Sequence, residues 1–358
     1  MNRENGITTF LPAVVSCAGS NCISRLPAPA LQILLPGIRF CVLAFSVYFS
    51  CVKPFSFIII TYNRPEDTLA LVRNIAQLDQ ATGLLQEIVL VNNRSTTNYT
   101  EVEQYVQASP LPFRYVVAPD NLGVARGRNF ALQYATAPIL ILLDDDAELQ
   151  NRDALLRLQE AFAHKASNIP TNRETAIVSF KVLYYTTLEM QQNTLPHKKY
   201  EQYRHKDAFY TYFYAGGAHA ILRKVFAETG YYPEDFFYGM EEYDLSYRLL
   251  DKGYAIQYNS SIVMLHKESP LGRKPTEQKL KMMWVNKSKV AWRYLPLRYF
   301  ISTALMWSVE FVRKAGFRPV VIWQAFKEIA RVCRTEKRRP VKTDTLEYLR
   351  KVDARLWY

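Results

Sequence analysis

The sequence predicts an α/β fold: a mostly parallel central sheet with helices on both faces, plus a C-terminal helical appendage. Three observations lead there. Short apolar runs without polar alternation recur at Phe55–Thr61, Gln86–Val91 and Ile139–Leu143, the pattern of strands buried on both faces. Helical stretches separate them in a β-α-β-α order, which specifies parallel pairing through crossover helices. The run Pro138–Asp146, PILILLDDD, ends in three consecutive carboxylates. It places acidic groups at the carboxyl end of a strand, the edge at which open α/β sheets bind ligands.

The elements follow in order. FSFIIIT (55–61) is a strand that ends in Tyr62-Asn63-Arg64-Pro65. A helix runs from Pro65 or Glu66 to about Leu78, because proline suits a first helical turn. QEIVLV (86–91) is the second strand and ends at Asn92-Asn93-Arg94-Ser95. A helix over Thr100–Ala108, a strand over Phe113–Ala118 and a helix over Val124–Tyr134 precede the fourth strand, Ile139–Leu143. Residues 147–163 read as helical, 176–181 as a strand, and the Tyr-rich stretch up to Tyr214 as irregular. A short strand at Ala220–Leu222 and a helix at Lys224–Thr229 come next. Glu241–Gly253 is an amphipathic helix, with Leu245, Leu249 and Leu250 on its apolar side and Gly253 closing it. Ala255–Leu265 is the last strand, followed by His266.

Charge divides the 358 residues unevenly. The net charge is +12, yet residues 54–266 hold 19 basic and 24 acidic residues, and residues 267–358 hold 22 basic and 8 acidic. The last quarter therefore carries more than the whole excess, which suits an anionic surface. No recognition motif accompanies the charge, so nucleic acid is not an expected partner. Four of the five cysteines lie in the first 51 residues and none has the spacing of a metal or disulfide framework. We divide the chain into an N-terminal extension (1–53), an α/β domain (54–269) and a basic, amphipathic helical tail (270–358). The extension has two open readings, a poorly ordered segment or a membrane anchor. Leu31–Val52 is apolar enough for a borderline span, but Pro36 and Arg39 interrupt it.

The acidic run has a chemical reading of its own. In an extended backbone Asp144 and Asp146 point the same way. Two like charges on one side repel, and a hard divalent cation removes that repulsion through oxygen ligands. The same acids also suit the start of the helix read after them.

With these elements placed, the chain resembles the family 2 glycosyltransferases, nucleotide-sugar enzymes of the GT-A fold. The resemblance spans about Phe55 to Ser269 and rests on five ordered signals: IIITYNR (58–64), VNNRST (91–96), NLGVARGRN (121–129), LLDDD (142–146), and GMEEYDLSYRLLDKG (239–253) followed by His266. It implies a metal-assisted, inverting transfer of a sugar from a nucleotide-diphosphate donor to a glycan or lipid-linked acceptor, with Mn2+ or Mg2+ as the cation. Asp144, Asp146 and His266 are the implied metal contacts, Asp144 also reaching the ribose; His266 otherwise reads as a strand-end histidine. Thr61, Asn63, Arg64 and Asn92 take the nucleotide side. Asn92 stands where many relatives have Asp, which leaves the base open. Arg128 faces the diphosphate by its place in an N-terminal helical turn. Gly217, in the Gly216-Gly217-Ala218 loop, lets backbone approach the ligand. Glu242 is the implied general base.

The tail completes the reading. Leu297–Val312 is apolar but carries Arg298 and Glu310, a poor spanning helix and a fair interfacial one, with Leu297, Phe300, Leu305 and Trp307 as inserting residues. Helices packed on the catalytic domain with a solvated basic face are the alternative. The expected location is cytoplasmic, peripheral at the inner face of the membrane. A nucleotidyltransferase is disfavoured because TYNRPE is no Gly-rich phosphate loop. The remaining rival is a non-catalytic carbohydrate-binding or membrane-associated scaffold that keeps the GT-A fold.

Overall fold

A computed structural model describes residues 53–236, 239–268 and 276–357. The extension over residues 1–52, with its two open readings, lies outside the described residues. Strands β1 (Phe55–Thr61), β2 (Leu85–Asn92), β3 (Phe113–Val117) and β4 (Ile139–Asp144) pair in parallel in the spatial order β3-β2-β1-β4. Helices α1 (Pro65–Ala76), α2 (Thr100–Ala108) and α3 (Gly123–Leu132) make the crossovers. Helix α1 opens on Pro65 with Glu66 and Asp67 in its first turn and buries Leu69, Leu71, Val72 and Ile75. Acids there face the positive end of the helix dipole.

Successive strand residues go to opposite faces, and the core divides accordingly. Ile58, Val89, Val91, Leu140 and Leu142 pack with Leu245 and Leu249 on one side. Phe57, Ile59, Leu90, Ile141 and Leu143 pack with Leu71, Val72 and Ile75 on the other.

Beyond β4 the order changes. The elements are β5 (Ala147–Leu149), α4 (Ala154–Ala163), β6 (Glu174–Tyr184), β7 (Ala208–Thr211), β8 (Ala218–Leu222), α5 (Lys224–Thr229), α6 (Glu241–Asp251) and β9 (Tyr254–His266). Strand β8 inserts antiparallel between β4 and β6, β9 runs parallel to β6, and β5 and β7 each pair antiparallel with β9. Two expectations fail here. The helix read from Ala147 starts at Ala154, because Ala147–Leu149 is drawn into pairing with His266–Met264. The stretch read as irregular holds β7, whose Phe209 and Tyr210 are both fully buried, so no polar alternation marks it as a strand.

Four helices close the chain: α7 (Thr276–Tyr294), α8 (Leu297–Ala315), α9 (Pro319–Thr335) and α10 (Thr343–Lys351). The end of α7 contributes Val290, Ala291 and Tyr294 to the core of the sheet, as α10 does with Tyr348 and Leu349. Its earlier turns hold Leu280 and Trp284 against Trp307 and Phe311 of α8 and Ala325 and Ile329 of α9, a second small core. Trp307 and, in part, Phe300 therefore point inward, not outward as the sequence reading had them. Among the described residues no helix is long and apolar enough to cross a membrane.

Candidate active site

The ends of β1, β2 and β4 deliver Thr61, Asn92 and Asp144 to one sheet edge. After β4 the chain turns at Asp145-Asp146 and is caught by β5, which pairs Ala147 with His266 at the end of β9. That pairing brings the acidic turn and the imidazole together. Asp144, Asp146 and His266 each offer a ligand atom, all within 4.8 Å of one another. Nε2 of His266 lies 3.3 Å from Oδ1 of Asp146, and its Nδ1 is 3.1 Å from Oε1 of buried Gln191, which suits Nδ1 as the donor. Burial pulls the imidazole down, but hydrogen bonding to and the charge of Asp146 outweigh it, and the group ends above its ordinary value. Asp145 turns the other way. Its carboxylate accepts from Nη1 of Arg64 at 2.8 Å and from the backbone N–H of Tyr62 at 3.2 Å. Burial pushes it up to about 7, against the pull of Arg64. The same Arg64 nitrogen reaches Oδ2 of Asp146 at 2.9 Å.

A second group forms around Arg128. Its buried guanidinium donates to the carbonyl of Gly216 at 2.9 Å and to Oε1 of Glu241 at 3.3 Å. It lies 3.6 Å from Asp144 and 3.8 Å from Glu242. Burial and the adjacent charge of Glu242 raise the Glu241 carboxyl, which Arg128 opposes. Glu241 is buried, whereas the side chain of Glu242 keeps 17% exposure. Both stand in the first turn of α6, which starts from a left-handed Met240 (φ 79°) preceded by Gly239 (φ 71°).

Gly216 and Gly217 join the two groups. A Cβ on Gly217 would sit 2.1 Å from Oδ2 of Asp144, and one on Gly216 would sit 2.0 Å from Oε1 of Glu242. Neither separation is sterically allowed, so a side chain at either position would displace one of the two carboxylates. The N–H of Asp144 also donates to the carbonyl of Gly217 at 3.2 Å.

The residues read from the sequence as nucleotide contacts lie at the ends of β1 and β2 and in the turn after β1, with polar atoms engaged nearby. Thr61 is fully buried, its hydroxyl 2.7 Å from that of Thr68 and 2.5 Å from that of Tyr99. Oδ1 of Asn63 accepts from the N–H of Thr96 at 2.8 Å, and its own N–H donates to the hydroxyl of Ser95 at 2.9 Å. Asn92 accepts from the N–H of Ser95 and donates to the hydroxyl of Tyr115, both at 2.8 Å. These residues shape the loops around the site. Arg128, which the sequence reading had facing a diphosphate, is buried among Asp144, Glu241 and Glu242. Sequence reasoning missed the Arg64–Asp145 pair, the contact of Gln191 with His266, and the Arg128–Glu241 pair. Only the unusual Glu-Glu and Asp-Asp-Asp runs signalled that buried counter-cations were required.

Residues 56–230 match the family model described as glycosyl transferase family 2. Residues 56–230 therefore form a glycosyl transferase family 2 domain. Over 180 residues this glycosyltransferase is 28% identical to an uncharacterized protein of Haemophilus influenzae, covering 50% of this chain and 92% of that one. Over 269 residues it is 27% identical to N-acetylgalactosaminyltransferase 6 of Drosophila melanogaster, covering 70% of this chain and 37% of that protein. Two solved structures have its GT-A fold. The mannosyltransferase PcManGT from Pyrobaculum calidifontis, in complex with GDP-Man and Mn2+, superposes with a TM-score of 0.53 at 19% identity, over 84% of this chain and 79% of that one. S. aureus TarS 1-349 in complex with UDP-GlcNAc gives 0.55 at 14% identity, over 78% and 81%. Glu242 and His266 lie beyond the residues that the family model matches, so their part in the site rests on geometry.

Two carboxylates and one imidazole form a donor set suited to a divalent cation, carboxylate oxygen for Mg2+ or Mn2+ and imidazole favouring the latter. The space that Gly217 leaves for Asp144 keeps that carboxylate beside the other two donors.

Proposed function

We propose that this glycosyltransferase moves a sugar, with inversion, from a nucleotide-diphosphate donor to a glycan or lipid-linked acceptor, assisted by Mn2+ or Mg2+. One observation carries the reading: Asp144, Asp146 and His266 converge on one point while Glu242 meets the same double glycine that seats Asp144. The donors named with the solved relatives, GDP-Man and UDP-GlcNAc, support the donor class. The cation, when bound, neutralises the diphosphate as it leaves.

The chain's residues supply the rest. Glu242 takes the proton of the acceptor hydroxyl as its oxygen bonds to C1 of the sugar. The bond from C1 to the diphosphate oxygen breaks in the same displacement, and the nucleoside diphosphate carries the electron pair away. One displacement with one base inverts C1. Glu242 suits the role better than Glu241, because Glu241 is buried against Arg128 and cannot reach a hydroxyl from solvent. Arg128 serves as a positioning residue. It balances three carboxylates that would otherwise repel one another, and fixes Gly216 through its carbonyl. Arg64 does the same for Asp145 and Asp146 from the other side. We place the acceptor at a membrane face, with the protein peripheral to it, on the strength of the basic helices at the C-terminal end.

A donor screen that follows release of nucleoside diphosphate, with and without Mn2+, tests this reading. Release that depends on both the metal and an acceptor supports it. Sugar binding without any turnover across donors would instead identify a scaffold that keeps the fold.

A further inference from the structure

We propose that the outward faces of α8 and α9, with the corner between them, form one docking surface for an anionic lipid bilayer. This rests on the peripheral placement proposed above and is independent of the transferase chemistry.

Helix α8 packs inward through Trp307 and Phe311. Its opposite face carries Leu297, Ile301, Leu305 and Val309 at steps of four residues, each about half exposed. A helix facing only water places polar side chains at such positions. The corner adds Phe317, 74% exposed, then Val320 and Trp323, the latter 63% exposed. These residues follow the α8 stripe along the chain, across the turn at Gly316. An exposed Phe and Trp on amphipathic helices is the pattern of side chains seated at the headgroup level of a membrane.

Charge identifies the occupant. On the outer face of α9, Trp323 is followed at helical spacing by Lys327, Arg331 and Arg334, all exposed. The Nζ of Lys327 lies 5.1 Å from the centre of the Trp323 ring. These three cations have no ion pair among the described residues, whereas Arg313 and Lys314 at the end of α8 are both paired with Glu310. Apolar residues bordered by unpaired cations match a surface that offers acyl chains beneath acidic headgroups. A bilayer containing anionic lipid offers both. The placement also has a consequence for the site. Helix α7 supports α8 and α9 through Trp284, and through Arg293 it holds Asp244 of the Glu242 helix at 2.8 Å. The docking face and the proposed base therefore hang on one helix.

The test uses the full chain and sedimentation with vesicles of phosphatidylcholine alone or mixed with phosphatidylglycerol. The protein is expected to bind the mixed vesicles at low salt, and less, but measurably, at physiological salt. Phe317→Ser combined with Trp323→Ser should lower binding about tenfold or more at both salts, through lost apolar insertion. Lys327→Glu combined with Arg331→Glu should remove the preference for anionic lipid. All these positions are exposed, so the variants should keep the wild-type circular dichroism and the wild-type rate of Mn2+-dependent nucleotide release to a water-soluble acceptor. A wild-type chain that ignores anionic vesicles at low salt overturns the proposal, as does a Phe317→Ser/Trp323→Ser variant that binds like wild type. A dimer that this variant dissociates, without any vesicle binding, assigns the face to a second copy and overturns it too. Vesicle binding without nucleotide release from any donor would support the surface while sinking the transferase reading, so the two failures stay distinct.

Discussion

Gly217→Ala is the smallest change that tests how the site is built. The added methyl would stand 2.1 Å from Oδ2 and 2.2 Å from Cγ of Asp144, where ordinary contact needs about 3.4 Å or more. The carboxylate must move by about 1 Å, and a displacement of that size typically costs about 10²-fold in rate. Stability should suffer much less. The side chain of Asp144 is 47% exposed, so it can swing into open space instead of compressing a core, and the loss should fall at or below the lower end of the roughly 1–3 kcal/mol usual for overpacking. Calorimetry of nucleoside diphosphate binding with and without Mn2+, beside a urea melt, separates the two effects. We expect a near-normal melt with metal-dependent affinity reduced about 10–100-fold, the usual effect of disturbing what orients a metal ligand. Unchanged metal-dependent affinity would refute the claim that Gly217 seats a metal ligand, and a collapsed melt would show that Asp144 has nowhere to go. Gly216→Ala provides the matched control, because its methyl meets Glu242 instead. It should lower kcat and leave nucleotide affinity alone.

Three further outcomes follow from the same geometry. Asp146→Asn should remove most turnover together with the Mn2+ dependence of nucleotide binding, and a calorimetric trace identical to wild type would remove Asp146 from the donor set. Glu242→Gln should reduce kcat by roughly 10²–10⁴-fold with donor affinity intact. Near-normal turnover in that variant would transfer the role to Glu241 or Asp244. His197 provides a pH test away from the site: burial holds this imidazole down at about 4 from an ordinary 6.5, so the unfolded chain takes up its proton first. Its contribution is complete above pH 6.5 and is lost as pH falls toward 4, by up to about 3 kcal/mol at 1.36 kcal/mol per unit. Urea unfolding at pH 7 and pH 5 should differ by about 2 kcal/mol from this group, and His197→Phe should shrink that difference; an unchanged difference would mean that the imidazole is not held neutral.

Much of this was legible in the sequence because it rests on local pattern. The buried strands announced themselves as apolar runs, and the acids of PILILLDDD announced a functional edge. Asp144 and Asp146 do meet, although through a turn and not along an extended strand. What the sequence could not express was pairing at a distance. Nothing local to Ala147–Leu149 says that His266 will draw those residues into a strand, and that pairing is what sets Asp146 beside the imidazole. The partners of Arg128 were hidden for the same reason. A basic residue in the first turns of a helix suggests an anion in solvent, whereas two of the three acids beside it, Glu241 and Glu242, are more than a hundred residues away. Trp307 looked like a membrane anchor because the composition of α8 does not say which face α7 covers.

The covered face also decides how the tail can be interrogated. Deleting residues 267–358 looks like a clean way to ask whether the basic segment binds membranes, but the segment is not an appendage in energetic terms. Its Val290, Ala291, Tyr294 and Leu349 are buried in the core that also holds Leu245 and Leu249 of α6. Its Arg293 bridges Asp244, Asp235 and Glu336. The Tyr294 hydroxyl donates to Asp244 at 2.9 Å. Asp244 is buried, and Arg248, Arg293 and Tyr294 all converge on it. Removing partners from a buried charge destabilises by about 3–5 kcal/mol, a large part of the roughly 5–15 kcal/mol that holds an ordinary domain together. The deletion would loosen the helix that carries Glu242 as well as strip away the cations, and would therefore confound binding, folding and turnover. Surface substitutions on α8 and α9 leave α7 in place. They alone separate what the tail does at its outer face from what it does for the proposed base.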